Sequence, residues 1–99
     1  MLYALIGEDL PGSLPKRLEA RPAHLARLEA LKGAGRLVLA GPCPAIDSPD
    51  PGPAGFSGSL IVAEFTSLEE AMAWMADDPY VKQGVFASTS VRPFKRVLP

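Results

Sequence analysis

The sequence predicts an α+β domain in which an antiparallel sheet carries two helices on one face. Three observations point there. Four short apolar segments recur along the chain, two segments with helical spacing separate them, and the order reads strand, helix, strand, strand, helix, strand. At 99 residues, 47% of them hydrophobic and 21% charged, the chain has material for one core and none for a second domain, so residues 1–99 are expected to fold as a unit.

The elements follow in order. Leu2 to Ile6 is short, apolar and closed by Gly7, the pattern of a buried strand. Leu14 and Leu18 have the spacing of a short helical turn, and Pro22 disfavours helical geometry at Arg21, which predicts a break or kink there. Pro22 to Lys32 is rich in Ala and Leu, has its proline in the first turn, and is stopped by Gly33 and Gly35, which predicts the first long helix. Arg36 to Ala40 reads as the second strand, ended by Gly41-Pro42. From Gly41 to Gly58, nine positions are Gly or Pro; proline lacks the donor that helices and sheet interiors need, so this stretch is expected to be a long loop and a candidate rim for a site. Ser59 to Phe65 is the third strand. Ser67-Leu68-Glu69-Glu70 has the form of a capping box, and Leu68, Ala71, Met72 and Met75 then make an apolar stripe, the second helix. Asp78-Pro79-Tyr80 opens a further helical turn, and Val85 to Val91, extended past Pro93, is the last strand. This βαββαβ order is the ferredoxin-like arrangement.

The third strand is apolar on both sides, with Ile61, Ala63 and Phe65 pointing one way and Leu60 and Val62 the other. Helices cover only one face, and an apolar sheet left open to water invites association, so a homodimer packed sheet to sheet is expected. Ten Lys and Arg against eleven Asp and Glu leave no basic footprint for nucleic acid. No apolar run approaches the length of a membrane span, and the N-terminus lacks the features of a signal peptide, which together predict a cytoplasmic protein with no membrane partner.

Few residues offer chemistry. His24 is the only histidine and the only side chain whose unperturbed pKa lies near neutrality. It sits at the edge of the core-facing stripe, where it is either a histidine satisfied by a backbone carbonyl or a base beside an opening. Arg21, three residues earlier, could hold an anion or be a solvated arginine. Asp78 before Pro79 fits a helix N-cap, and such a cap keeps one carboxylate oxygen free to orient an imidazole. One His and one distant Cys make no metal-ligand spacing, and Cys43 has neither a disulfide partner in the chain nor an adjacent base. Gly33-Ala34-Gly35 precedes a strand, the reverse of a dinucleotide fingerprint.

Several segments taken together carry a resemblance. Arg21-Pro22-Ala23-His24-Leu25-Ala26-Arg27-Leu28, Gly41-Pro42, Asp47-Ser48 with Asp50-Pro51-Gly52, Ala54-Gly55-Phe56 with Gly58-Ser59, Ala63-Glu64-Phe65, Asp78-Pro79-Tyr80-Val81 and Ser90-Val91 with Pro93-Phe94-Lys95 resemble the YciI-like, or YCII-related, family of bacterial proteins. The likeness runs from end to end, with Cys43 and Leu10-Pro11-Gly12 outside the matching motifs. It implies a ferredoxin-like fold of the dimeric α/β-barrel group and an active site built on a histidine and an aspartate, which map onto His24 and Asp78. Arg21, Ser57, Tyr80 and Gly84 are implied as neighbouring substrate-binding positions. Members of the wider barrel group include isomerases, lyases and monooxygenases of small molecules. Without a cofactor motif, the expectation is a cofactor-free acid-base enzyme that performs an elimination or isomerisation on a small polar or aromatic molecule. The alternative is a non-catalytic homodimer that binds a small ligand or a partner.

Overall fold

The computed structural model describes residues 1–99 in the order β1 (Leu2–Asp9), α1 (Leu14–Gly33), β2 (Leu37–Pro44), one 3-10 turn (Gly52–Ala54), β3 (Phe56–Glu64), α2 (Leu68–Ala76), α3 (Pro79–Lys82) and β4 (Phe86–Phe94). The strands form one sheet in the order β2-β3-β1-β4, with every neighbouring pair antiparallel. The register of β1 against β3 pairs Tyr3 with Ala63 and Leu5 with Ile61, so these four side chains share one face. They are buried there with Leu28 and Leu31 of α1 and Ala71 and Met75 of α2, and Phe65 completes the core. The expected βαββαβ fold, with its helices on one face, is what the chain adopts.

The other face of the sheet carries apolar residues with no helix over them. Ile6, Leu60, Leu39 and Phe94 are 37%, 36%, 49% and 41% exposed. The two-sided apolar character of the third strand therefore holds in the folded chain.

Three local expectations are corrected. The predicted loop from Gly41 to Gly58 is sheet at both ends, where Gly41 pairs with Leu60, Pro42 with Ser59, Cys43 with Gly58 and Pro44 with Phe56, and only residues 45–55 connect the strands, with the 3-10 turn among them. The prolines are tolerated because β2 lies at an edge, where a strand can lack donors on its outward side. Helix α1 runs unbroken through Pro22. Pro22 cannot donate to the Leu18 carbonyl, but both residues are exposed, where water can take the place of a lost helical bond. At the start of α2, Ser67 Oγ accepts from the Glu70 N–H at 3.1 Å, while Glu70 reaches back to the N–H of Thr66 rather than that of Ser67.

At Gly7 of β1 an aromatic ring lies close over the backbone. The Phe86 ring lies over it so tightly that a Cβ there would approach the ring to 2.5 Å. Phe86 in turn meets the Tyr80 ring edge to face, with centroids 5.6 Å apart.

Candidate active site

The inward stripe of α1 is Arg17, Ala20, His24, Leu28 and Leu31, spaced by three and four residues as one helix face requires. Its lower half is hydrocarbon for the core. Its upper half places a guanidinium and an imidazole under the sheet end, and both are buried.

Asp78 meets His24 from α3. As the N-cap of that short helix it has extended backbone, and its Oδ1 accepts the Tyr80 N–H at 2.9 Å. His24 Nδ1 lies 2.9 Å from Oδ1 and 3.0 Å from Oδ2 of the same carboxylate, which is fully buried. A carboxylate only accepts, so Nδ1 carries the proton and the lone pair of the neutral ring is on Nε2. Arg27 adds a longer contact of 3.4 Å to Oδ2 and donates at 2.9 Å to the Trp74 carbonyl.

The imidazole stacks on Tyr80, with centroids 4.0 Å apart and planes at 15°. Arg17 approaches the same ring, its Cζ 4.7 Å from the centroid. Arg17 and His24 are two helical turns apart, roughly 10 Å along the axis, so the phenol ring stands between them. The Arg17 guanidinium is fixed from behind: Nε and Nη2 donate to the two Asp9 oxygens at 2.8 and 2.7 Å, and Nη2 also reaches the Gly58 carbonyl and Ser59 Oγ. Burial pushes the Tyr80 hydroxyl above its ordinary value of 10.0, opposed by the nearby charges of Arg17 and Arg21. Tyr80 therefore stays a neutral donor at neutral pH.

These groups line a cavity of about 440 Å³ between α1 and the β2-β3 edge. That volume falls within the range of small-molecule sites. Its walls are Leu18, Leu25, Leu28, Pro42, Phe56 and Ile61 together with Arg17, Arg21, His24, Ser59 and Tyr80. Among the residues singled out in the sequence, His24, Arg21 and Tyr80 line the cavity, and Asp78 stands behind His24. Ser57 and Gly84 do not line it. The Ser57 hydroxyl donates to the Cys43 carbonyl at 3.3 Å, and Gly84 ends α3 with a positive φ of 73°. Arg17 escaped the sequence reading, although it lies seven residues before His24 on the same helical face. No cluster of three or more His, Cys, Asp or Glu stands in metal-binding proximity. No helix is long and apolar enough to cross a membrane.

Comparison with known proteins agrees with this fold. The YCII-related domain matches residues 1–95. Protein YciI of Escherichia coli O6:H1 (strain CFT073) is 59% identical over 97 residues, which are 98% of this chain and 99% of that one. A protein of Haemophilus influenzae is 50% identical over the same shares. Among solved structures, the 5-chloro-2-hydroxyhydroquinone dehydrochlorinase of Burkholderia phenoliruptrix AC1100, in complex with 2,5-dihydroxybenzoquinone, superposes with a TM-score of 0.83 at 33% identity, covering 96% of this chain and 94% of that one. From residue 1 to residue 95, the chain belongs to the YCII-related family.

Proposed function

We propose that the protein is an acid-base enzyme that uses the His24–Asp78 pair, without a cofactor, to carry out an elimination or isomerisation on a small polar or aromatic molecule. One observation carries the reading: the 2.9 Å bond from Nδ1 to Asp78 commits that nitrogen and leaves Nε2 as the base, on a ring that forms part of the cavity wall. Asp78 holds the tautomer and the ring plane, and it stabilises the imidazolium once the proton has moved, the role an aspartate plays behind a catalytic histidine elsewhere.

The chemistry balances with protein groups alone. Nε2 takes a proton from a carbon next to a carbonyl, so that the electron pair of the broken C–H bond moves towards the carbonyl oxygen, or from a ring hydroxyl, so that the pair of the O–H bond stays on that oxygen as a phenolate. In an elimination, that charge returns to expel the leaving group with its bonding pair. In an isomerisation, the proton returns to a different carbon. Apolar walls keep water away from the imidazolium, and Arg21, which makes no ion pair, supplies positive charge at the rim. The dehydrochlorinase likeness favours elimination, since loss of hydrogen chloride is a reaction of that type.

The uncovered sheet face supports a second part of the reading. Ile6, Leu39, Leu60 and Phe94 would be covered by the same face of a second copy, making a homodimer.

The test is chloride release from 5-chloro-2-hydroxyhydroquinone by the native protein and by His24→Gln. The expected result is catalysed release that falls by about 10²- to 10⁴-fold in the variant, the usual contribution of a positioned base. Equal rates in the two proteins, or no catalysed release by the native protein, would overturn this reading and leave a ligand-binding dimer in its place.

A further inference from the structure

Two donors in the cavity have no work inside the protein beyond their contact with each other. Tyr80 is only 2% exposed, and its hydroxyl oxygen lies beside the Arg17 guanidinium while its O–H finds no acceptor in the protein; the one polar contact of this residue with Asp78 is through its backbone N–H. Arg17 is 4% exposed, and Nε and Nη2 make its hydrogen bonds to Asp9, Gly58 and Ser59, so the Tyr80 hydroxyl is the one group of the protein left for Nη1. No side-chain polar atom that is fully shut away from solvent lacks a partner, so both donors keep access to solvent, and both residues line the cavity.

We infer that the Tyr80 hydroxyl and Arg17 Nη1 form the oxyanion receptor of this cavity, and that its occupant is a flat conjugated acid bound as an enolate or phenolate. This rests on the His24–Asp78 reading and names the substrate class of the same site. The charges around the cavity favour one negative charge. Arg17 is matched by Asp9, and Asp78 is shared by His24 and Arg27, while Arg21 has no counter-ion and no carboxylate forms part of the wall. Flatness follows from the walls. The Phe56 ring centroid lies 5.3 Å from Arg17 Cζ, and the apolar part of the wall also includes Leu18, Leu25, Pro42 and Ile61, surfaces that accept the face of a ring. The Tyr80 ring stands between the receptor and the base, so a substrate whose oxygen rests on Arg17 and the phenol hydroxyl can turn an adjacent ring position towards His24. The oxygen that gains charge when the proton leaves is then already held by donors that need no rearrangement.

The experiment is a calorimetric titration with 2,5-dihydroxybenzoquinone, which ionises to an enolate, and with its neutral 2,5-dimethoxy ether. The native protein is expected to bind the enolate at least about tenfold more tightly than the ether. Tyr80→Phe keeps the ring on His24 and is expected to weaken enolate binding about tenfold, as the loss of one hydrogen bond does, while leaving ether binding unchanged. His24→Gln is expected to retain the preference for the enolate although its turnover is lost. A failure of the base therefore shows in rate, and a failure of the receptor in the ratio of the two affinities. Equal affinity of the native protein for the two quinones, no measurable binding of the enolate at millimolar concentration, or an undiminished preference in Tyr80→Phe would each overturn the inference. In Arg17→Lys the Asp9 charge stays matched but the fork is lost, and the preference should fall there as well.

Discussion

Removing the Asp78 carboxylate should cost several interactions at once, and they can be weighed separately. In Asp78→Ala, α3 loses the side chain that caps it, worth about 1 kcal/mol. His24 Nδ1–H is left without an acceptor in a site where the ring is only 6% exposed, which costs about 1–3 kcal/mol. The Arg27 contact is long, and that side chain is a quarter exposed, so solvent replaces it at roughly 0–1 kcal/mol. The total is about 2–5 kcal/mol, against a stability of about 5–15 kcal/mol expected of a chain this size, so the variant should remain mostly folded. Urea unfolding followed by circular dichroism measures it, through a lower midpoint at unchanged slope. Asp78→Asn keeps an acceptor for the Tyr80 N–H and should recover about 1 kcal/mol of the loss. Combining His24→Ala with Asp78→Ala completes a cycle whose coupling should be about 1–3 kcal/mol. Losses that simply add, within about 0.5 kcal/mol, would mean that the two residues touch without depending on each other, and their working as a pair would be refuted.

Three further outcomes are expected. Gly7→Ala should destabilise the fold by about 1–3 kcal/mol in the same urea assay, because the new methyl group meets the Phe86 ring, and it should weaken enolate binding by pressing Phe86 on Tyr80. Tyr80 is held neutral above its ordinary range by burial, so the unfolded chain releases this proton first as pH rises: stability should be whole below about pH 10 and decline above it. Alkaline unfolding of Tyr80→Phe should lack that share of the decline. Light scattering at micromolar concentration should report a dimer, and Ile6→Lys on the open sheet face should shift it towards monomer; a native monomer would remove the covering argument.

Much of the fold was legible because periodicity is a local signal. The apolar runs of Leu2 to Ile6 and Ser59 to Phe65, and the stripe through His24, Leu28 and Leu31, marked strands and a helix face that the folded chain uses. What stayed hidden depended on neighbours that are distant in sequence. Pro42 and Pro44 look like loop residues until β2 is known to be an edge strand. Pro22 reads as a break until the exposed side of α1 on which it and Leu18 lie is known. The partnership of His24 with Asp78 spans 54 residues, and no spacing rule reaches that far; family motifs carried it instead. Arg17 was the harder loss. An arginine on an apolar helix face normally reads as a solvated charge, and it takes the Asp9 carboxylate, brought alongside by β1, with the Gly58 carbonyl and Ser59 hydroxyl of β3, to offset the cost of its burial.

The central claim is that Asp78 makes Nε2 of His24 the base, and nitrogen NMR of the imidazole tests it most directly. The chain has one histidine, so the assignment is unambiguous. The neutral ring is predicted to carry a protonated Nδ1 and an unprotonated Nε2, with a slowly exchanging Nδ1 proton shifted far downfield by the carboxylate. In Asp78→Asn the amide can donate to Nδ1, and the proton should move to Nε2. A native protein that already carries its proton on Nε2, or a tautomer that ignores the Asp78→Asn change, would contradict the claim.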